Sequence, residues 1–234
     1  MRLQFLNMDV ILVGDIHGKF RELNFKIHKQ YVITQSLIIQ LGDFGVGFHA
    51  DAYYMTEFNK LNKELAKYGN TLLAFRGNHD DPQWFDGRID MSNLKLIPDY
   101  TVIETDKGNV LCIGGEASVD YKYRLKHQEI TWWADELVVF DEEKLHNLPK
   151  IDYVCTHGMP EGTYPIIKYI GEDTEVTKYA GLSRRELSMI WQYLTNNEHP
   201  IKKWYAGHYH ESHKENILGI EFNILDVNEF RELK

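Results

Sequence analysis

The sequence predicts an α/β protein built on mixed β-sheets. Two observations carry this reading: short apolar runs alternate with helical patterns, and two hairpin-like segments interrupt that alternation. The runs at 10–13, 37–39, 72–75, 153–155 and 204–206 are brief and rich in β-branched or aromatic residues, so each reads as a buried strand. Tyr54, Phe58, Leu61, Leu65 and Tyr68 recur at steps of four and three, which predicts a helix over 51–68. A later helix is expected to begin near Ser183. Ser183 and Glu186 have capping-box spacing, Leu182 and Leu187 can staple the entry, and Leu187, Ile190, Trp191 and Leu194 form a buried stripe. Residues 101–104 and 110–113 flank a turn-forming stretch and predict a hairpin; the 215–225 segment bends at Gly219 and predicts a second.

At 234 residues the chain can bury a substantial core, and a single domain over 1–234 is expected, since no repeat, low-complexity tract or long linker divides it. The segment 118–137 sets Tyr121, Tyr123, Trp132 and Trp133 among charges; it reads either as an insertion covering a site or as amphipathic packing. The formal charge is −9, from 26 Lys plus Arg against 35 Asp plus Glu. That balance argues against a general nucleic-acid or membrane-surface binder, leaving nucleic acid as a substrate only. The two cysteines, Cys112 and Cys155, sit in apolar runs and read as free buried thiols in a reducing compartment. With no signal-peptide core and no 18-residue apolar span, a cytoplasmic location is expected.

Five apolar runs end in glycine-flanked clusters of metal-type ligands: VGDIHG (13–18), LGDFG (41–45), RGNHD (76–80), THG (156–158) and AGHYH (206–210). Glycine there lets the backbone turn sharply or approach a ligand closely. Asp15 and His17, like His208 and His210, are two residues apart, which on extended backbone turns both side chains to one face. Ligands at neighbouring strand ends share one sheet edge, the usual place for an α/β site. The inventory is Asp15, His17, Asp43, Asn78, His157, His208 and His210. Seven donors exceed what one four-coordinate ion needs, and two ions sharing a carboxylate fit the count. Mixed nitrogen and oxygen ligation without thiolate suits Mn²⁺, Fe, Zn²⁺ or Ni²⁺. Two divalent ions against two aspartates leave a positive pocket that favours phosphate.

D-x-H, G-D, G-N-H-D, a lone H-G and G-H-x-H, in that order from residue 14 to 210, resemble the calcineurin-like metallophosphoesterase superfamily. The resemblance implies a four-layer αββα sandwich of two mixed sheets flanked by helices. It implies one metal at Asp15, His17 and His210 and a second at Asn78, His157 and His208, with Asp43 bridging them; Mn²⁺ is the first choice. A metal-activated hydroxide would hydrolyse a phosphate ester, a small phosphomonoester or nucleotide in the first instance. A phosphodiesterase acting on cyclic nucleotides or oligonucleotides, and a protein-binding scaffold of the same fold, are the alternatives. His79 matches the position that contacts the phosphoryl group and is assigned as leaving-group acid.

The chain departs from the protein-phosphatase branch, whose second motif runs G-D-x-V-D-R-G. Here 42–48 reads GDFGVGF, so neither the carboxylate that would orient His79 nor one phosphate-binding arginine stands in its expected place. Asp80 or Asp81 is a candidate to orient the imidazole. IGGEASVDYKYR (113–124) is similar to an I-G-G-x-x-S-x-D-x-x-x-R segment in a subset of bacterial and phage members. Arg124 there can supply the missing phosphate contact, or simply pair with Asp120; Ser118 and Asp120 read as structural. His49 can line the site. His28, His127, His146, His199 and His213 lack ligand spacing, Lys202-Lys203 reads as a solvated pair, and the aromatics around Trp132-Trp133 can stack a base or a partner protein.

Overall fold

The computed structural model describes residues 1–126, 132–165 and 174–234. In chain order its first half contains β1 (Arg2–Phe5), β2 (Asp9–Val13), α1 (Phe20–Phe25), β3 (Ser36–Gln40), α2 (Asp51–Lys67), β4 (Thr71–Ala74), β5 (Leu94–Leu96), β6 (Thr101–Thr105) and β7 (Gly108–Ile113). There follow α3 (Tyr121–Lys126), α4 (Glu142–His146), β8 (Tyr153–Thr156), α5 (Thr174–Asn196), β9 (Lys203–Ala206), β10 (His213–Ile217), β11 (Ile220–Ile224) and β12 (Phe230–Glu232). The strands form a seven-stranded sheet, β1-β6-β7-β8-β9-β11-β10, and a five-stranded sheet, β12-β2-β3-β4-β5. Both are mixed: β2, β3, β4 and β5 run parallel with β12 antiparallel at the edge, and the β6–β7 and β10–β11 hairpins turn the larger sheet.

Side-chain alternation along the strands builds the layers. Val10 and Leu12 of β2, and Leu37 and Ile39 of β3, face the larger sheet and meet Ile103, Val110, Cys112, Tyr153, Cys155 and Tyr205. Their neighbours Val13 and Ile38 point the other way and pack with Leu23 of α1 and Phe58, Leu61 and Leu65 of α2. On the far side of the larger sheet, Leu111, Val154, Trp204 and Phe222 pack against Leu145 of α4 and Leu187, Ile190 and Leu194 of α5. Three apolar interfaces separate four layers, helix, sheet, sheet and helix, because strands buried on both faces need cover on both. Cys112 and Cys155 are free thiols in the central interface, paired in register between β7 and β8. Among the described residues no helix is long and apolar enough to cross a membrane.

Every predicted strand is present, and so are the helix over 51–67 and both hairpins. The edge strands β1, β5 and β12 had no clear pattern of their own; three or four residues at a sheet margin carry too little periodicity. Ser183 is a correction. It lies inside α5, which begins at Thr174, and it is fully buried. The pair that reads as a capping box serves another segment: Ser183 Oγ accepts from Val138 N at 3.2 Å and Glu186 Oε2 accepts from Phe140 N at 2.7 Å. Leu182, the supposed staple, is exposed. His28 is buried, bonded to Asn24 and stacked on Tyr68; His127 lies outside the described residues. Lys202 and Lys203 are paired, with Asp152 and Glu221.

The position of Ser183 predicts a sign. Ser183→Ala strands the Val138 N–H and should cost about 1–3 kcal/mol. Ser183→Gly should cost about 1 kcal/mol more, because glycine is the poorer residue inside a helix. At an N-cap the order would reverse. Urea midpoints of the two variants check it, and a glycine variant as stable as the alanine one would contradict the interior placement.

Candidate functional site

The five ligand clusters follow the C-terminal ends of β2, β3, β4, β8 and β9, and the two sheets bring those ends together. All seven predicted metal-type residues converge. Asp15, His17, Asp43 and His210 offer donor atoms within 4.8 Å of one another. His17 Nε2 and His210 Nε2 are 2.9 Å apart, and Asp15 Oδ2 lies 3.2 Å from the His210 nitrogen. On the other side, Asn78 Oδ1 is 3.1 Å from His157 Nε2 and 3.0 Å from His208 Nδ1. Asp43 stands between the groups, with Oδ2 3.7 Å from His17 Nδ1 and Oδ1 3.1 Å from His157 Nε2.

The backbone is bent to make this possible. His17, Asp43, His208 and His210 all have positive φ, between 44° and 68°. Such a conformation costs a non-glycine residue of order 1–3 kcal/mol and collects at functional sites. Gly77 shows why the motif glycine is needed: a Cβ there would sit 2.1 Å from Asp43 Oδ1. Gly207 has the same relation to Asp15, whose Oδ1 would lie 2.1 Å from an added Cβ.

The donors suit cations. His157 Nδ1 faces the Leu41 carbonyl at 2.8 Å; a carbonyl only accepts, so this nitrogen carries the proton and Nε2 turns to Asp43 and Asn78. Burial opposes charge on His157, yet the Asp43 and Asp15 carboxylates outweigh it and raise the imidazole to about 10. Burial equally opposes ionised Asp43, but the charge and hydrogen bond of His157 hold its carboxyl well below the usual range. The site thus demands positive charge, which a proton or a divalent ion can supply. His17 is lowered by burial and His208 well lowered by burial and by His157, which leaves both imidazoles with lone pairs to offer. His210 is raised, chiefly by its bond to Asp15.

His79 donates its backbone N–H to Asp43 Oδ1 at 2.8 Å, and its ring meets Arg124 Nη2 at 3.0 and 3.2 Å. Burial lowers its pKa, Asp43 resists, and the Arg124 guanidinium adds to the fall. Arg124 Nε donates to Asp120 at 2.8 Å, the pairing expected of it, while Nη2 reaches the imidazole. Neither Asp80 nor Asp81 orients His79. Asp80 is buried and accepts from four backbone amides, those of Phe44, Gly45, Val46 and Gly77. Asp81 accepts from Gln83 N and caps the short turn at Pro82–Phe85. His49 lines a cavity shared with His17 and His79.

Two further residues support the site: Ser118, which the 113–124 segment marked as structural, and Glu136, which no motif singled out. Asn78 Nδ2 donates to Ser118 Oγ at 3.0 Å, and Ser118 Oγ donates to Glu136 Oε2 at 2.6 Å. Glu136 also accepts from Ser118 N and Tyr179 Oη. This chain fixes which end of the Asn78 amide faces the histidines. Glu136 had no local signal: a carboxylate in a charged aromatic stretch becomes recognisable only once the fold lays it beside Ser118.

The description "Calcineurin-like phosphoesterase" belongs to the family model that matches residues 8–223. Among solved structures, a protein from Staphylococcus aureus described as a candidate 5′-nucleotidase, in complex with alpha-ketoglutarate, is 12% identical with a TM-score of 0.45. The match covers 94% of this chain and 48% of that one, so this chain spans about half its length. A point mutant of a cold-active protein tyrosine phosphatase is 14% identical with a TM-score of 0.42, covering 98% of this chain and 76% of that one. Likenesses this distant carry no argument about activity. No curated protein matches the chain. The family match spans more than nine-tenths of the sequence and takes in every one of the seven clustered donors, and on that ground the chain belongs to the calcineurin-like phosphoesterases.

Proposed function

We propose that the chain is a phosphoesterase that holds two divalent ions and hydrolyses phosphate monoesters, a small phosphorylated metabolite or nucleotide. The observation that carries this is the division of donors around Asp43, whose two oxygens face separate groups of ligands. Asp15, His17 and His210 would hold one ion; Asn78, His157 and His208 the other. Such ions supply Lewis-acid neutralisation of phosphoryl charge and a water nucleophile competent near neutral pH. The protein's own residues do the rest. Asp43 and Asp15 set the charge of the floor, while Arg124 offers a guanidinium to phosphate oxygens beside His79. His79 stands where it can meet the leaving oxygen or a phosphoryl oxygen.

Metal analysis tests the reading. Protein loaded with Mn²⁺ should hold about two ions per chain and release phosphate from p-nitrophenyl phosphate, and EDTA should abolish turnover until metal returns. Asp43→Asn should cost more kcat/KM than the loss of any single terminal ligand, because it removes charge shared by both groups. Full activity in chelator, or one ion per chain at saturation, contradicts the dinuclear assignment.

The Asn78–Ser118–Glu136 chain gives a second expectation. Ser118→Ala should weaken one of the two ions by about 10–100-fold, the usual scale for loss of a residue that orients a ligand. The other ion should keep its affinity. Chelator competition resolves the two, and equal weakening of both would show that Ser118 acts on the fold rather than on Asn78.

A further inference from the structure

Directly beside the candidate metal centre lies a cavity of about 420 Å³ whose inner wall is His17 and His79 and whose outer wall is Phe48, His49 and Tyr53. We propose that this cavity binds a planar, uncharged aromatic ring on the alcohol side of the phosphate ester, a nucleobase or an aryl group, stacked on Phe48 and Tyr53. The inference rests on the phosphoesterase reading and names the class of substrate that the site would take.

Three observations support it. Phe48, on the loop after β3, and Tyr53, in the first turn of α2, are 38% and 41% exposed, unusual for large aromatic side chains beside a polar centre. Their backbone is nonetheless pinned: the buried Tyr54 hydroxyl accepts from Phe48 N at 2.9 Å and His49 N at 3.1 Å, and Tyr53 N donates to Ala50 O at 2.9 Å. Trp133 packs edge-on against the Phe48 ring at 5.5 Å, and Phe48 lies nearly parallel to His79. Exposed rings on a fixed backbone form a stacking surface that loses little freedom on binding.

The lining also states what the cavity does not suit. Among the described residues no aspartate, glutamate, lysine or arginine lines it, which favours an uncharged occupant. Of its eight described lining residues, Gly18, Phe20, Gly45 and Phe48 have no hydrogen-bonding side chain, and the other four, His17, His49, Tyr53 and His79, are rings that offer a face as well as a polar edge. Its volume falls within the ordinary range for small-molecule sites, enough for one ring system and its linker. The residues at 45–48, Gly-Val-Gly-Phe, are those that stand where the protein-phosphatase pattern has an acid and an arginine. Val46 and Gly47 take the two charged positions, and neither carries charge.

The test compares esters with the same leaving oxygen. Adenosine 5′-monophosphate and ribose 5-phosphate both release a primary sugar hydroxyl and differ in the base. With Mn²⁺-loaded protein, kcat/KM should favour the nucleotide by about 10-fold or more, the scale of one base stacked on an aromatic side chain. Benzyl phosphate against ethyl phosphate repeats the comparison for a plain aryl ring and separates the two sources of the ring. Phe48→Leu keeps apolar bulk without a ring face and should bring the ratios towards one, with metal content confirming that the variant folds. Ratios near one in the unaltered protein, or unmoved by Phe48→Leu, overturn the proposal. If no ester is hydrolysed, the phosphoesterase reading fails on its own, and calorimetry with adenosine against ribose decides the cavity separately. Adenosine heat lost in Phe48→Leu supports the stacking surface, and absence of adenosine binding at millimolar concentration overturns it.

Discussion

One buried carboxylate holds the working end of the molecule together. Asp80 accepts hydrogen bonds from the amides of Phe44, Gly45 and Val46 on one loop and of Gly77 on the next. Burial and the Asp43 charge push the Asp80 carboxyl up to about 7; the amides that converge on it oppose that rise and leave the two loops little freedom. Asp43 precedes the first of them and Asn78 follows the last, so the spacing between the Asp43 carboxylate and the Asn78 amide is set by Asp80. The same bonds anchor the stretch that presents Phe48. A residue with no access to substrate thereby decides where both the metal-type donors and the aromatic wall stand.

Around that clamp, local strain and charge have been concentrated in one small volume. Four ligand-type residues adopt left-handed backbone conformations, and two glycines admit carboxylate oxygens to within 2.1 Å of where a Cβ would be. Tertiary packing has to hold such geometry against its cost. Two loops supply part of that hold by bonding to each other, with His17 N and Gly18 N donating to the carbonyls of Asp43 and Phe44. The electrostatics agree: a chain of net charge −9 builds a pocket whose buried carboxylates raise a fully buried histidine to about 10. The pocket calls for cations, and a filled pocket would attract phosphate although the protein as a whole would repel it.

The segment from Gly114 to Leu137 ties the larger sheet to the site. Arg76, itself next to the GNHD motif, pairs with Asp99 and donates to the carbonyls of Asp135, Glu136 and Leu137. That bond set presents Glu136 to Ser118, and Ser118 to Asn78. Arg124 and Trp133, from the same segment, reach His79 and Phe48. Asn78, His79 and Phe48 are in this way steadied by the described residues of 114–126 and 132–137.

Much of this was legible in the amino-acid order. Short apolar runs rich in β-branched and aromatic residues revealed the central strands, and steps of three and four revealed α2, because burial leaves its mark in residue type and period. The seven donors were legible for a different reason: motif glycines beside Asp, Asn and His at strand ends mark metal-type chemistry, and the family resemblance divided them into two groups. Ser183 and Glu186 misled because a capping box is a purely local pattern, and the acceptors it offers were claimed by Val138 and Phe140 from outside the helix. Asp80, Glu136 and Phe48 carried no sign of their roles, since each acts on residues that are distant in the chain or turned towards it only by the fold. The sequence by itself determined which atoms were available to bind metal and phosphate, through residue type and local spacing. Tertiary structure alone decided which of the remaining polar and aromatic groups would support them, because a hydrogen bond or a stacked ring depends on ångström-scale placement that no local pattern encodes.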